Sequence, residues 1–418
     1  MKKSLVIVGA SYAGIQLAAA ARERGFEGSI TLLGEESEAP YQRPFLSKGY
    51  LTSEQGQPPL ALRSEAFFVE ERIDWIPSSK VELIDRSSRT VSLQNGKCIA
   101  YDYLALTTGA RVRTIECPGA TLEGVFYLRS VSDARKLREA TGEARRIVII
   151  GGGYIGLEVA ASLKKRGLDV TVVETQARVL ARVASPLLSD FVYQTHLENG
   201  VRFEFGRGVV SLRNHLDSVD AVELSDGTLL ECDVVVVGIG VIPNVELARQ
   251  CGLEVDGGIL VDAFARTSDP LIVAAGDCAA FDCHWMAEGS APCRIESVQN
   301  ANDMAKVAAS TLTGSLEPHK ALPWFWSDQY DLKLQIAGLH NGSTDHVLVG
   351  SVEDRKFSIY YFRDGSLTAV DSINSPQDHM LARRLLTNGL APTFQQVQEE
   401  NFALKTFAAA RVTQEQTS

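Results

Sequence analysis

The sequence has 418 residues, enough for two or three domains, and no uncharged apolar run reaches the length that spans a membrane. Its 52 acidic residues outnumber 41 basic ones, and the net charge of −11 argues against a nucleic-acid or anionic-membrane partner for the molecule as a whole. Seven cysteines, Cys98, Cys117, Cys232, Cys251, Cys278, Cys283 and Cys293, include no C-x-x-C pair and no zinc or iron–sulfur spacing. Free thiols in a reducing compartment are expected. Met1-Lys2-Lys3 ahead of a short apolar run is too brief for a signal peptide, so the expectation is a soluble cytoplasmic protein.

The chain opens on a strand, Leu5 to Val8, followed by Gly9-Ala10-Ser11-Tyr12-Ala13-Gly14. This is the G-x-G-x-x-G spacing of a dinucleotide loop, with Ser11 at the middle glycine. Serine is small enough to leave a phosphate room. Ile15 to Arg24 reads as the helix, Gly25 as its stop, and Ile30 to Leu33 as the next strand. Glu35 then stands where a carboxylate can hold ribose hydroxyls, and Glu36 competes for that place. In the segment Pro40 to Lys48, Arg43 and Lys48 would put positive charge near a pyrophosphate and a flavin. The same segment also reads as a proline-broken surface loop with solvated charges. Residues 51–64 read as a loop or short lid. Val81 to Asp85 and Arg89 to Leu93 read as a β-hairpin, with Asn95-Gly96 as the following turn. The strand after Tyr101 ends in a small-residue turn. There Thr108 and Gly109 either approach a dinucleotide or simply turn the chain.

Val125 to Leu128 is a strand, and the helix after it is capped by Ser130 or Ser132 and runs to about Ala140. The second unit is more complete. Ile147 to Ile150 is a buried parallel strand, and Gly151, Gly153 and Gly156 follow at full G-x-G-x-x-G spacing. Gly151 allows the tight turn, Gly153 lets a pyrophosphate approach, and Gly156 lets the helix pack on the strand. Ile155 to Leu163, with Lys164, Lys165 and Arg166 in the last turn, reads as a helix whose free N–H groups suit an anion and which Gly167 stops. The strand Val170 to Val173 ends in Glu174, placed for the adenosine ribose. A hairpin, Ala221 to Leu224 with Thr228 to Cys232, precedes a buried strand from Asp233 that ends in Gly238 and Gly240. Ile259 to Val261 is a short strand. Pro270 to Asp277 ends at what would be the carboxyl edge of a sheet, so Asp277 reads as a ligand-facing acid or as a loop cap. Two complete openings about 140 residues apart imply two dinucleotides, a nicotinamide on one and a flavin, as FAD, on the other.

Beyond a helix of about Gln299 to Thr311 the composition changes. Trp324 and Trp326 suit either a plain core or a flavin edge. Strands Lys333 to Ala337, His346 to Val349, Phe357 to Phe362 and Leu367 to Val370, then a helix His379 to Thr387, form a third domain. The last 15 or so residues are polar and expected to fray.

Taken together, the stretches Gly9–Gly14, Tyr41–Lys48, Thr107–Ala110, Gly151–Glu158, Gly238–Asn244, Ala275–Cys278, Arg294–Asn300 and Pro323–Gln329 resemble one family over essentially the whole chain. It is that of the FAD-dependent, NADH-using ferredoxin reductases of bacterial oxygenase systems. The resemblance implies an α/β, glutathione-reductase-like fold: two Rossmann-like dinucleotide-binding domains, for FAD and NAD, plus a C-terminal α+β domain. The FAD domain would comprise 1–110 and 240–315, the NAD domain 111–239, the third domain 316–410, and a tail 411–418. Gly9, Ser11, Gly14, Glu35, Arg43, Lys48, Thr108, Gly109, Arg111, Asp277, Val298 and Trp326 would form the FAD site. Gly151, Gly153, Tyr154, Ile155, Gly156, Glu174, Gly238 and Gly240 would form the NAD site. Lys48 would lie near the flavin N5 and pair with Glu158, and this catalytic pair would shift as hydride arrives. Val298 stands where some relatives carry an aromatic, and with Ser11 it departs from the family pattern.

Electrons would then pass from NADH through FAD, one at a time, to a [2Fe–2S] ferredoxin serving an oxygenase, with no nucleic acid, membrane or metal ion involved and the protein a monomer or weak dimer. Glu174 favours NADH, because a carboxylate repels the 2′-phosphate of NADPH, whereas Arg178 nearby works the other way. A flavin disulfide reductase would need a cysteine pair near the flavin, and the first 97 residues hold no cysteine. Direct reduction of oxygen or a quinone, and an NADH-sensing flavoprotein scaffold, are the remaining alternatives.

Overall fold

The computed structural model describes residues 2–53, 57, 59–287 and 289–415. The loop or lid expected over 51–64 therefore falls partly on residues outside the described ones, 54–56 and 58, as does the end of the tail, 416–418.

Two parallel sheets carry the glycine loops. In the first the order is Ile272–Ala274, Tyr103–Leu106, Ser4–Val8, Ser29–Leu33 and Ile73–Ile76. In the second it is Arg202–Phe205, Asp169–Glu174, Arg146–Ile150, Val234–Val237 and Val125–Tyr127. Both central strands are buried on both faces, which is why they read as unbroken apolar runs. The helix Tyr12–Glu23 packs on the helix Val298–Leu312. Ala18 to Ala21 on one and Ala301, Ala305, Ala308 and Ala309 on the other are all buried, and such small side chains let two backbones approach closely. A small antiparallel sheet flanks each unit, one of Val81–Asp85, Thr90–Leu93 and Cys98–Ala100, the other of Val209–His215, Ser218–Leu224 and Leu229–Glu231. Where the chain leaves the first unit and where it returns, Ala110–Val112 and Val241–Pro243 pair antiparallel.

The third body is a five-stranded antiparallel sheet in the order Trp324–Gln329, Leu332–Gly338, Ser366–Ile373, Lys356–Arg363 and Asp345–Ser351. One face buries Leu332, Leu334, Phe357 and Ile359 against Leu157, Val179, Leu188 and Phe191 of the second unit. The other is covered by the helices Pro376–Thr387 and Leu404–Glu415.

Several elements were not visible in the sequence. The strands Ile73–Ile76, Arg202–Phe205 and Val209–His215 and the helix Pro186–Glu198 are too short or too mixed to show a period. The chain end corrects an expectation: instead of fraying, it is helical to Glu415, pinned by the buried Leu404 and Ala408. No helix among the described residues is long and apolar enough to cross a membrane.

Candidate functional site: a cleft between two glycine loops

Each loop is built by close backbone approach. Gly9 and Gly151 both sit at φ +111°, a conformation that side chains resist. A Cβ on Gly14 would lie 1.9 Å from the carbonyl oxygen of Gly9, and one on Gly156 would lie 2.1 Å from that of Gly151. The glycines therefore let each helix start directly against its strand. Gly238 supports the second turn from below, since a Cβ on Gly151 would meet its carbonyl oxygen at 2.4 Å. Gly240, at φ +105°, turns the chain into the returning strand.

The helices that follow are left open at their N-termini. Neither Ser11 nor Gly153 supplies a side-chain cap, and neither first turn holds an acid. By contrast Ser64, Ser130, Ser185, Ser297 and Thr393 each cap their helices by accepting a backbone N–H. Unpaired N–H groups on twelve-residue helices offer a ready site for the pyrophosphate of a dinucleotide. The residues thus fit one FAD and one nicotinamide dinucleotide.

The acids differ between the units. Glu174 accepts the Gly152 N–H at 2.8 Å and the Gln176 N–H at 2.9 Å, so its carboxylate is fixed at the rim of the second loop. In the first unit Leu33 receives the Gly9 N–H as Val173 receives that of Gly151, so Gly34 stands in the register of Glu174. Glu35 lies one residue further on, is 70% exposed and pairs with Lys80 at 3.2 Å. Glu36 turns inward and binds Arg43 and the Tyr41 hydroxyl.

A cleft opens between the loops. Ser11, Arg43, Lys48 and Gly109 line it from the first unit, Ile155 and Glu158 from the second, and Asp277, Val298 and Trp326 from the remainder. Gly9 and Gly14 lie behind its wall. Thr108 and Arg111 are not brought to it. The Thr108 hydroxyl donates to the Asn244 carbonyl at 2.6 Å, and Arg111 reaches outward to Asn244 and Glu246, each at 2.9 Å. Thr107 lines the cleft instead, its hydroxyl donating to Gly9 at 2.8 Å. Tyr12, Pro44, Arg129 and Phe325 also line it and were missed in the sequence. Phe325 sits between two tryptophans that had been noticed, but Arg129 carried no local signal.

Charge in the cleft is organised by pairs. Arg43 donates to Ser11 Oγ at 3.2 Å and to the Arg129 carbonyl at 2.9 Å, and binds Glu36. Arg129 pairs with Asp277 at 3.3 Å. Burial pushes the Tyr12 hydroxyl up to about 12, so it stays neutral and able to donate. Lys48 Nζ lies 2.9 Å from Glu158 Oε1, and Glu158 is 2% exposed. The hydroxyls of Ser47 and Ser327 also donate to Glu158, at 2.5 Å and 2.7 Å. No cysteine lines the cleft, and Cys278 beside Asp277 is fully buried with its thiol pushed up by that burial.

Tyr154, at the start of the second loop helix, does not face the cleft. Its ring packs 4.8 Å from Phe325, its buried hydroxyl has no hydrogen-bond partner among the described residues, and burial next to Asp371 pushes its pKa up. Ile155 is the half-exposed side chain that lines the cleft in its stead.

Comparison with known proteins agrees with this geometry. Residues 3–305 match the family described as pyridine nucleotide-disulphide oxidoreductase, and residues 324–408 match the reductase C-terminal family. Rhodocoxin reductase of Rhodococcus erythropolis is 44% identical over 96% of this chain and 93% of that protein. Putidaredoxin reductase of Pseudomonas putida is 38% identical over 97% of both. Among solved structures, the ferredoxin reductase for the CYP199A2 system from Rhodopseudomonas palustris superposes with a TM-score of 0.93 at 42% identity, covering 97% of this chain and 100% of that one. The covalent putidaredoxin reductase–putidaredoxin complex gives 0.92 at 38% identity, covering 98% of each.

Proposed function

The chain belongs to the pyridine nucleotide-disulphide oxidoreductase family, and from that premise we propose that it is an FAD-dependent NADH:ferredoxin oxidoreductase. It takes electrons in pairs from NADH and delivers them singly to a [2Fe–2S] ferredoxin that serves an oxygenase. The observation that carries the reading is the shared cleft, which two open helix N-termini flank and which the ion pair of Lys48 with the buried Glu158 spans from one unit to the other. The ferredoxin follows from the relatives, one of which was captured with its iron–sulfur partner, putidaredoxin.

FAD, when bound, supplies the exchange between a two-electron donor and a one-electron acceptor. The rest falls to the chain. In this reading the first loop, with Ser11 and Arg43, holds the FAD pyrophosphate, and Asp277, oriented by Arg129, holds the polar chain beside it. Trp326 and Phe325 cover the cleft and exclude water. Lys48 sets a positive charge against the reacting end of the cofactor, where it favours the charge that hydride brings. Glu158 holds Lys48 in place. No side chain has to act as nucleophile or general acid, which accords with a cleft lined by no cysteine.

The second loop holds NADH. Glu174 accepts the adenosine ribose hydroxyls and repels a 2′-phosphate. Arg178 supports this preference, because its guanidinium donates to the carbonyls of Ala181 and Ala184 at 3.0 Å and 2.9 Å and is spent within its own loop. The antiparallel pair Ala110–Val112 and Val241–Pro243 is a natural boundary for a second domain inserted into the first.

The test is a steady-state assay of the FAD-loaded protein with NADH and cytochrome c. Cytochrome reduction that appears only on adding a [2Fe–2S] ferredoxin is expected. Equal rates without ferredoxin, or rapid quinone reduction in its place, would overturn the reading.

A further inference from the structure

Behind Glu158 a line of buried polar side chains runs away from the cleft. Ser327 Oγ lies 2.7 Å from Glu158 Oε1, and Gln329 Nε2 lies 3.1 Å from Ser327 Oγ. Gln329 Oε1 lies 2.8 Å from His196 Nε2, and His196 Nδ1 lies 3.2 Å from the Tyr330 hydroxyl. Ser327, Gln329 and His196 are each 3% exposed or less. They come from two bodies: His196 from the helix Pro186–Glu198 of the second unit, the others from the edge of the third sheet.

The direction of every proton along this line follows from its first member. Paired with Lys48, Glu158 is a carboxylate and only accepts, so Ser327 must donate to it. Ser327 has one proton, so its oxygen accepts from the Gln329 amide nitrogen. The Gln329 oxygen then faces His196 Nε2, which must carry the hydrogen. Burial drives the His196 pKa down to about 4, so the ring is neutral and Nδ1 is bare. Nδ1 therefore accepts from Tyr330. Four donors point one way and end on one buried carboxylate, and hydrogen bonds aligned in this manner polarise one another. A glutamine in the line also means that it does not conduct protons as an imidazole–water chain would.

We propose that Ser327, Gln329, His196 and Tyr330 are positioning residues that hold Glu158 from behind, and so set how far Lys48 is drawn from the cleft. Glu158 Oε1 is shared by Ser327 and Lys48. While Ser327 donates, part of the carboxylate charge is satisfied, and the ammonium keeps its field on the cleft. Without that donor Oε1 draws Lys48 toward itself, and the positive potential beside the cofactor falls. The third domain thereby tunes the cofactor through a contact that does not touch it. The inference rests on the reading of Lys48 as the charge beside FAD.

The test is the midpoint potential of bound FAD in the holoenzyme. Lys48→Gln comes first, and a lowered potential confirms the underlying reading. Ser327→Ala is then expected to lower the potential by about 30 mV, which is tenfold in the equilibrium of a two-electron couple. Ser327→Thr, which keeps the hydroxyl, should restore it. In a Lys48→Gln background Ser327→Ala should add nothing, because the two act through one contact. The KM for NADH should stay unchanged in the Ser327 and Tyr330 single variants. Tyr330→Phe, at the outer end, should give a smaller shift of the same sign, and it serves if Ser327→Ala fails to load FAD. A potential that moves with Lys48→Gln but not with Ser327→Ala or Tyr330→Phe overturns this proposal alone. A potential indifferent to Lys48→Gln overturns the reading beneath it.

Discussion

Gly9 and Gly151 share a φ of +111°, and each donates its N–H to the end of the neighbouring strand, at 2.9 Å and 2.8 Å. The two loops that follow them part in everything but backbone. Ser11 stands where Gly153 does. It binds Arg43 at 3.2 Å, whereas a Cβ built on Gly153 meets nothing within 4 Å. Tyr12 faces the cleft, whereas Tyr154, its counterpart, is buried against the third sheet. Gly34 stands where Glu174 does. The first loop is closed down by an arginine and suits a group that stays bound. The second is open at its middle residue, carries its acid at the rim and suits a dinucleotide that comes and goes. In the proposed reading one backbone serves a resident cofactor and a travelling co-substrate, and the difference lies in three side chains.

The sharpest way to break this comparison is to close each turn in the same manner. Gly14→Ala should yield protein purified without its FAD absorbance, because the new Cβ meets Gly9 at 1.9 Å. Gly156→Ala should keep the FAD and raise the KM for NADH by at least about tenfold, a loss of about 1.4 kcal/mol of binding. If both variants lose flavin, or neither does, the division of labour fails. Next in size, Lys48→Gln should slow flavin reduction by about 10² to 10³ with FAD content unchanged, the scale of losing one aligned charge or donor at a reacting centre. A smaller effect is expected from Glu174→Ala: the preference for NADH over NADPH, measured as the ratio of kcat/KM values, should fall by about tenfold. Ser11→Gly makes the first loop like the second and removes one of the hydrogen bonds that hold Arg43. It should weaken FAD by about 1 kcal/mol, the worth of one hydrogen bond, as read from flavin release on dilution.

The last difference, the burial of Tyr154, bears on stability. Asp371 lies beside it, bonded to the Tyr361 hydroxyl at 2.7 Å, and burial pushes its pKa up to about 7. An acid whose folded pKa is raised keeps its proton longer in the native state. Its stabilising contribution is therefore full below the unfolded value near 4 and is lost as pH rises through 7. The melting temperature should fall as pH rises from about 4 to about 7 and level off above, and Asp371→Asn should flatten that slope.

What could be read in the sequence follows the range of each interaction. The glycine loops were legible because their demands are local: a tight turn and a close helix start are written within six residues. The fold class and the family resemblance rest on these loops together with six further stretches spread over the chain, and the family match bears them out. Glu35 follows from counting along the chain, whereas pairing between strands puts Gly34 in the register of Glu174, with Glu35 one residue further on. Thr107 lines the cleft in place of the expected Thr108, because the Thr108 hydroxyl is bonded to Asn244, more than a hundred residues away. Arg129 and the line from Ser327 to His196 left no trace, because their partners come from different bodies of the fold. The final helix was hidden by a polar composition that two buried residues, Leu404 and Ala408, suffice to anchor.

The most direct test of the account is an anaerobic stopped-flow mix of the yellow holoprotein with NADH, followed by a [2Fe–2S] ferredoxin. The account predicts rapid bleaching of the flavin, then its recovery in step with ferredoxin reduction. Bleaching that persists across several ferredoxins and recovers only with oxygen or a quinone would contradict it, as would slow bleaching with a lasting long-wavelength band.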